Sequence, residues 1–129
     1  MTNQPVPENR GQVMRAIYES LALKYRKAME DVKDVTGKDY EVIHIVGGGT
    51  KDGLLCQMAA DACNTTVIAG PIEATALGNV AAQLIASGDI SDMWKAREII
   101  RNSEETKTFT PKNPKEWDEA FNKYNKVIL

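Results

Sequence analysis

The stretch Glu41-Val-Ile-His-Ile-Val-Gly-Gly-Gly-Thr-Lys-Asp52 decides how this chain is read. A β-branched apolar run, residues 41–46, stops at three consecutive glycines, and a helix start follows at once. Val42, Ile43, Ile45 and Val46 are apolar on both faces of an extended segment, which is the pattern of a buried parallel strand. His44 interrupts the run and reads as a hydrogen-bonded structural residue. Glycine has no Cβ, so backbone can come close to a ligand and positive φ costs little. A strand, a glycine loop and a helix N-terminus in that order make a seat for a nucleotide.

Downstream, Asp52 is placed to cap a helix over residues 53–63, with Leu54, Leu55, Met58, Ala59 and Ala62 as its packing face. Residues 65–69 form a second strand, broken by Gly70-Pro71. A third helix covers 73–87, with Leu77, Val80, Ala81, Leu84 and Ile85 on one side and Gly88 as its stop. Gly78 inside it costs about 1 kcal/mol relative to alanine. A fourth helix starts at Ser91 or Asp92 and runs to 102. Beyond Pro111 and Pro114, the spacing of Trp117, Phe121 and Tyr124 predicts a short amphipathic helix.

Upstream, Asn9 and Gln12 form a capping pattern ahead of a long helix that ends near 35, before Gly37. Met14, Tyr18, Leu21, Tyr25, Ala28 and Val32 step by three or four and form its apolar stripe. The fold class is therefore α/β: two parallel strands with flanking helices. Two parallel strands are a poor stand-alone sheet. Either further strands exist or the chain is part of something larger.

The 129 residues suit about one domain, with 43% hydrophobic and 26% charged residues. A net charge of −2, from 16 basic and 18 acidic residues, gives no reason to expect a nucleic-acid partner. The start carries neither a basic nor an apolar signal-peptide region. No apolar run reaches the roughly 20 residues of a membrane span, and the cytoplasm is the default location. Cys56 and Cys63 sit seven apart on one helix, about 10 Å along its axis. A disulfide needs Cα atoms within about 7 Å, so both read as small apolar side chains. With His44 the single histidine, a zinc site is not expected.

Spacing excludes two phosphate loops. The dinucleotide fingerprint needs a glycine where Asp52 stands, and the P-loop needs Lys-Ser/Thr where Leu54 and Leu55 stand. A second segment, Ala69-Gly-Pro-Ile-Glu-Ala-Thr-Ala-Leu-Gly-Asn79, carries more information. Together with Ile43-His-Ile-Val-Gly-Gly-Gly49, with Leu54-Leu-Cys-Gln-Met-Ala-Ala-Asp-Ala62 and with Gln12-Val-Met-Arg-Ala-Ile-Tyr-Glu-Ser-Leu-Ala-Leu-Lys-Tyr25, it resembles the C-terminal part of the FGGY carbohydrate kinases. The resemblance runs from about residue 5 to 109 in one order and register. GGG, then Q-x-x-A-D, then E-x-x-x-x-G points to the superfamily. The fuller string from Ala69 to Asn79 is similar to the branch that acts on L-rhamnulose.

The resemblance implies a partial ribonuclease H-like, actin-like ATPase domain. Residues 1–110 would be an incomplete C-terminal kinase domain on its nucleotide-binding side, and 111–129 a helical tail. Such kinases transfer the γ-phosphoryl of ATP to a sugar hydroxyl, using a carboxylate base and Mg²⁺. The base and the first phosphate turn lie in parts of the family that this sequence does not match. The resemblance thus gives this chain no catalytic residue and no metal ligand of its own, and an isolated chain would be inactive. ATP or ADP would meet the set Gly47, Gly48, Gly49 and Asp52, with Gly48 the direct backbone contact. Family members often carry Asn at Asp52. An ionised Asp cannot donate a hydrogen bond and repels phosphate, so capping outweighs ligand contact there. Glu73 reads as a partner for backbone at a helix start, and Asp61 as structural. Sugar would bind only through an N-terminal domain, and an orphaned strand edge would drive self-association. A stand-alone nucleotide-binding or interaction module, or part of a fuculose or xylulose kinase of the same family, remains open at this point.

Overall fold

A computed structural model describes residues 5–128. Asn9 accepts a hydrogen bond from the Gln12 amide at 3.0 Å and opens α1, Arg10–Thr36. Gly37, at φ 66°, closes it by returning its N–H to the Lys33 carbonyl at 2.7 Å. Then come β1 (Val42–Ile45), a 3-10 turn (Gly47–Lys51), α2 (Gly53–Cys63) and β2 (Thr66–Ala69). They are followed by α3 (Ala74–Ser87), α4 (Met93–Ser103), β3 (Lys107–Phe109) and α5 (Pro114–Ile128).

The two expected strands pair in parallel, with Val42 opposite Thr66 and Ile45 opposite Ala69. A third strand, absent from the sequence reading, joins β2 antiparallel, with Val67 opposite Phe109. The sheet is mixed, in the order β1-β2-β3. The three residues of β3 are too few to carry a period-2 signal.

The alanine-rich helix α2 lies at the centre, because small side chains let neighbours approach on two sides. Cys56, Ala59 and Ala60 pack on Val67 and Ala69 of the sheet, with Ile43, Ile45 and Phe109 around them. Met58 and Ala62 pack with Ala22 and Leu23 of α1 and with Trp117 and Phe121 of α5. Arg26 ties α1 to α5. Its guanidinium lies 4.4 Å from the centroid of the Phe121 ring and bonds Asp118 at 2.7 Å.

Two burial expectations are corrected. β1 is not buried: Val42 and His44 are exposed while Ile43 and Ile45 are partly covered. The strand is at the sheet edge, and α2 covers only the Ile43–Ile45 face. Along α1, Ala22 and Leu23 are the buried residues, whereas Met14, Leu21, Tyr25 and Val32 of the expected stripe are exposed. Of that stripe Tyr18 packs against the core. Both cysteines are free, Cys56 fully buried and Cys63 partly. Burial pushes the Cys63 thiol up to about 11.

Candidate functional site

The two segments singled out in the sequence meet at the ends of the parallel strands. β1 runs out at Ile45 and β2 at Ala69, so the loops that follow emerge side by side. In open α/β sheets, ligands bind outside the carboxyl ends of strands. Here the loops are joined twice. Gly47 donates its N–H to the Pro71 carbonyl at 3.0 Å, and Gly70 donates to the Ile45 carbonyl at 3.0 Å.

The three glycines differ in what the structure asks of them. Gly47 sits at φ 80°, a left-handed conformation that disfavours any side chain. Gly48 is exposed, and a Cβ built on it meets no atom within 4 Å. A Cβ on Gly49 would touch Ile45 Cγ2 at 3.7 Å, an ordinary contact. Gly47 therefore shapes the turn, Gly49 is under no steric demand of its own, and Gly48 presents bare backbone to open space. The turn is held internally: Thr50 Oγ1 donates to the Gly47 carbonyl at 2.8 Å, and the Asp52 amide to that of Gly49 at 3.2 Å.

Asp52 is committed to the fold. One carboxylate oxygen, Oδ1, accepts from the Leu55 amide at 3.0 Å and caps α2, and the other, Oδ2, accepts from the Tyr18 hydroxyl. The Tyr18 hydroxyl first, and then the Leu55 amide, hold the Asp52 carboxyl below its ordinary value. The same bond to Asp52 raises the Tyr18 phenol. With both oxygens engaged, Asp52 is a cap beside the turn, and its charge takes up the helix N-terminus that a phosphate would otherwise seek.

Glu73 is corrected. Its side chain makes no capping bond, and its backbone carbonyl accepts from the Leu77 amide at 3.0 Å. Asp61, 8% exposed, clamps the segment after β3: Oδ1 accepts from the Lys112 amide at 2.6 Å and from Gln57 Nε2 at 3.1 Å. Gln57 Nε2 also bonds the Thr110 carbonyl at 2.8 Å. Among the described residues, no group of three or more His, Cys, Asp or Glu side chains is arranged to hold a metal ion. No helix among them is long and apolar enough to cross a membrane. Sequence reading missed Tyr18 as the partner of Asp52. Its ring fitted an apolar stripe, and nothing local signals the hydroxyl.

Residues 1–87 match the model of the FGGY family of carbohydrate kinases, C-terminal domain. The chain belongs to the FGGY family. It is 43% identical over 120 residues to a rhamnulokinase of Bacteroides thetaiotaomicron, which covers 93% of this chain and 25% of that relative. It is 42% identical over 112 residues to a rhamnulokinase of Bacillus subtilis, covering 87% of this chain and 23% of the relative. The chain thus spans about a quarter of the length of these curated relatives. The crystal structure of Plasmodium falciparum glycerol kinase with ADP superposes with a TM-score of 0.78 at 20% identity, covering 97% of this chain and 25% of that one. At that identity the likeness speaks for fold alone. The sugar kinases among the structural neighbours have the actin-like ATPase fold, and this FGGY chain is an α/β portion of it.

Proposed function

We propose that this chain forms the adenosine-side wall of the ATP site in an FGGY kinase that phosphorylates L-rhamnulose. The observation that carries the reading is Gly48. It offers exposed backbone, with open space where a side chain would stand, on a turn anchored to the neighbouring loop through Gly47 and Pro71. The residues fit a nucleotide. Gly48 would meet it directly with Gly49 beside it, Gly47 would hold the turn, and Asp52 would keep α2 in register behind it. The occupied carboxylate of Asp52 favours the nucleoside over the phosphates at this position. The ADP named with the glycerol kinase structure and the two rhamnulokinase relatives support the nucleotide and the sugar respectively.

ATP supplies the phosphoryl group. Mg²⁺ and the proton-accepting carboxylate would come from elsewhere in the kinase, as would the sugar site. On this reading residues 1–110 are the nucleotide-side part of the C-terminal domain and 111–129 a helical tail docked on it, in a cytoplasmic enzyme. The isolated chain self-associates through the open edge of β1 and does not turn over sugar.

Titration calorimetry with ADP tests the site. The wild-type chain binds ADP, and Gly48→Val weakens binding at least about tenfold, which is about 1.4 kcal/mol, without changing the melting temperature. Equal ADP binding by both proteins, or none by the wild type, overturns the assignment. Phosphorylation of L-rhamnulose by the 129-residue chain alone overturns its inactivity.

A further inference from the structure

We propose that Tyr18 is a positioning residue for the nucleotide: its hydroxyl, bonded to Asp52, ties the far end of the glycine turn to α1 and so keeps Gly48 set to receive the ligand. The proposal rests on reading Gly48 as the nucleotide wall, and it adds what holds that wall in place. Glycine backbone has more conformational freedom than any other. An exposed run of it keeps one shape only where its ends are fixed. A loop fixed beforehand in its bound shape binds more tightly, because less freedom is lost on binding.

The near end is fixed by Gly47, whose N–H bonds the Pro71 carbonyl. The far end is Asp52, where the 3-10 turn stops and α2 begins. Its amide donates to the Gly49 carbonyl at 3.2 Å, and its carbonyl accepts from the Cys56 amide at 3.0 Å. Oδ1 accepts from the Leu55 amide at 3.0 Å, and Oδ2 from the Tyr18 hydroxyl. Gly49, Leu55 and Cys56 belong to the same local stretch as Asp52. Among the described residues, Tyr18 alone bonds Asp52 from another part of the chain, 34 positions away on α1.

That outside bond matters because of where burial begins. The buried residues of α2 start at Cys56, so Gly53, Leu54 and Leu55 depend on the capping carboxylate for their hold. Thr50 Oγ1 closes the turn on the Gly47 carbonyl, which fixes its curl but not its place against the helices. Tyr18 supplies the fixed point. Its ring packs on the cluster that contains Ala22 and Leu23, and a hydrogen bond to a carboxylate is stronger than one between neutral groups.

The test is a double-mutant cycle on the full 129-residue chain, with ADP titrated well below the melting transition so that every protein is folded. Tyr18→Phe keeps the ring and removes the hydroxyl. It is expected to weaken ADP binding about three- to tenfold, the usual net worth of one hydrogen bond. In an Asp52→Ala background the same substitution is expected to change nothing, because the acceptor is gone. In the ligand-free Tyr18→Phe chain, hydrogen exchange is expected to quicken at Asp52 and Leu55 and to stay unchanged in β2. That measurement stands without the Asp52→Ala protein. Weakening below about threefold, less than one such bond is worth, overturns the role of Tyr18. So does equal weakening with and without Asp52, or unchanged exchange at Asp52 and Leu55. Those results leave the Gly48 assignment standing if the wild type binds ADP and Gly48→Val binds it more weakly. A wild-type chain that binds no ADP overturns both.

Discussion

Gly47 and Pro71, 24 positions apart in sequence, share a backbone hydrogen bond of 3.0 Å, which fixes the glycine turn against the loop that leaves β2. The neighbouring bond from Gly70 to Ile45 makes the junction two-pronged. The candidate site is therefore only as well formed as the approach of these two loops.

Gly70, in the second of these loops, is also packed closely on Thr106, just ahead of β3. A Cβ there would lie 2.5 Å from Thr106 Cγ2 and 3.1 Å from Thr106 Cβ. Gly70→Ala is expected to destabilise the chain by about 1–3 kcal/mol, the usual cost of overpacking. Thr106→Ala in the same chain removes the nearest atom and restores part of the loss. Urea denaturation of the two single variants and the double variant measures the coupling.

The Tyr18–Asp52 bond makes acid stability a readout of the turn. Asp52 titrates below its unfolded value of about 3.9. Its contribution is fully present above about pH 4 and is lost as pH falls through the lower folded value. Tyr18→Phe removes the largest cause of that depression, so the fall in stability between pH 5 and pH 2 becomes shallower. Urea midpoints across that range check it. Asp92, held low by the Lys95 amide and the Ser91 hydroxyl, titrates in both proteins and cancels in the comparison.

Removing the cap has a separate cost. Asp52→Ala leaves the Leu55 amide without its acceptor and is expected to cost about 1 kcal/mol, whereas Asp52→Asn keeps an accepting oxygen and costs less. Thermal melting at pH 7 ranks the two.

Asp61→Ala strips the Lys112 amide and Gln57 of a shared acceptor in a buried place. A loss of about 1–3 kcal/mol follows from leaving such a donor unpaired. Because Lys112 joins β3 to α5, faster hydrogen exchange should appear in residues 107–114 ahead of the rest. Uniform acceleration over the whole chain would show that the clamp is not local.

Phe121 is 3% exposed between α1 and α2, beneath the Arg26 guanidinium. Phe121→Ala is expected to cost about 3–5 kcal/mol. Calorimetry should find a melting transition that is lost or greatly lowered, with α5 released first.

What could be read without coordinates was whatever a few neighbouring residues settle among themselves. Asn9, Asp52 and Asp92 cap their helices because the amide each accepts from lies two or three residues on. Gly37 and Gly88 end theirs because the left-handed turn they adopt is open to glycine. The boundaries of α2, the parallel pair and the glycine turn followed from such local rules. The family pattern in residues 12–25, 43–62 and 69–79 added the kind of site.

Tertiary structure alone decided which surfaces those elements turn toward each other. Tyr18 and Asp52 are 34 positions apart, and neither sequence neighbourhood encodes their meeting. β3 is three residues long and exists because β2 offers a free edge. On α1 periodicity found the Met14–Leu21 stripe, but α2 and α5 lie against Ala22 and Leu23 instead. Caps and turns are governed by interactions within one helical turn of chain. Packing faces and strand neighbours depend on contacts whose partners are fixed only when the whole core assembles.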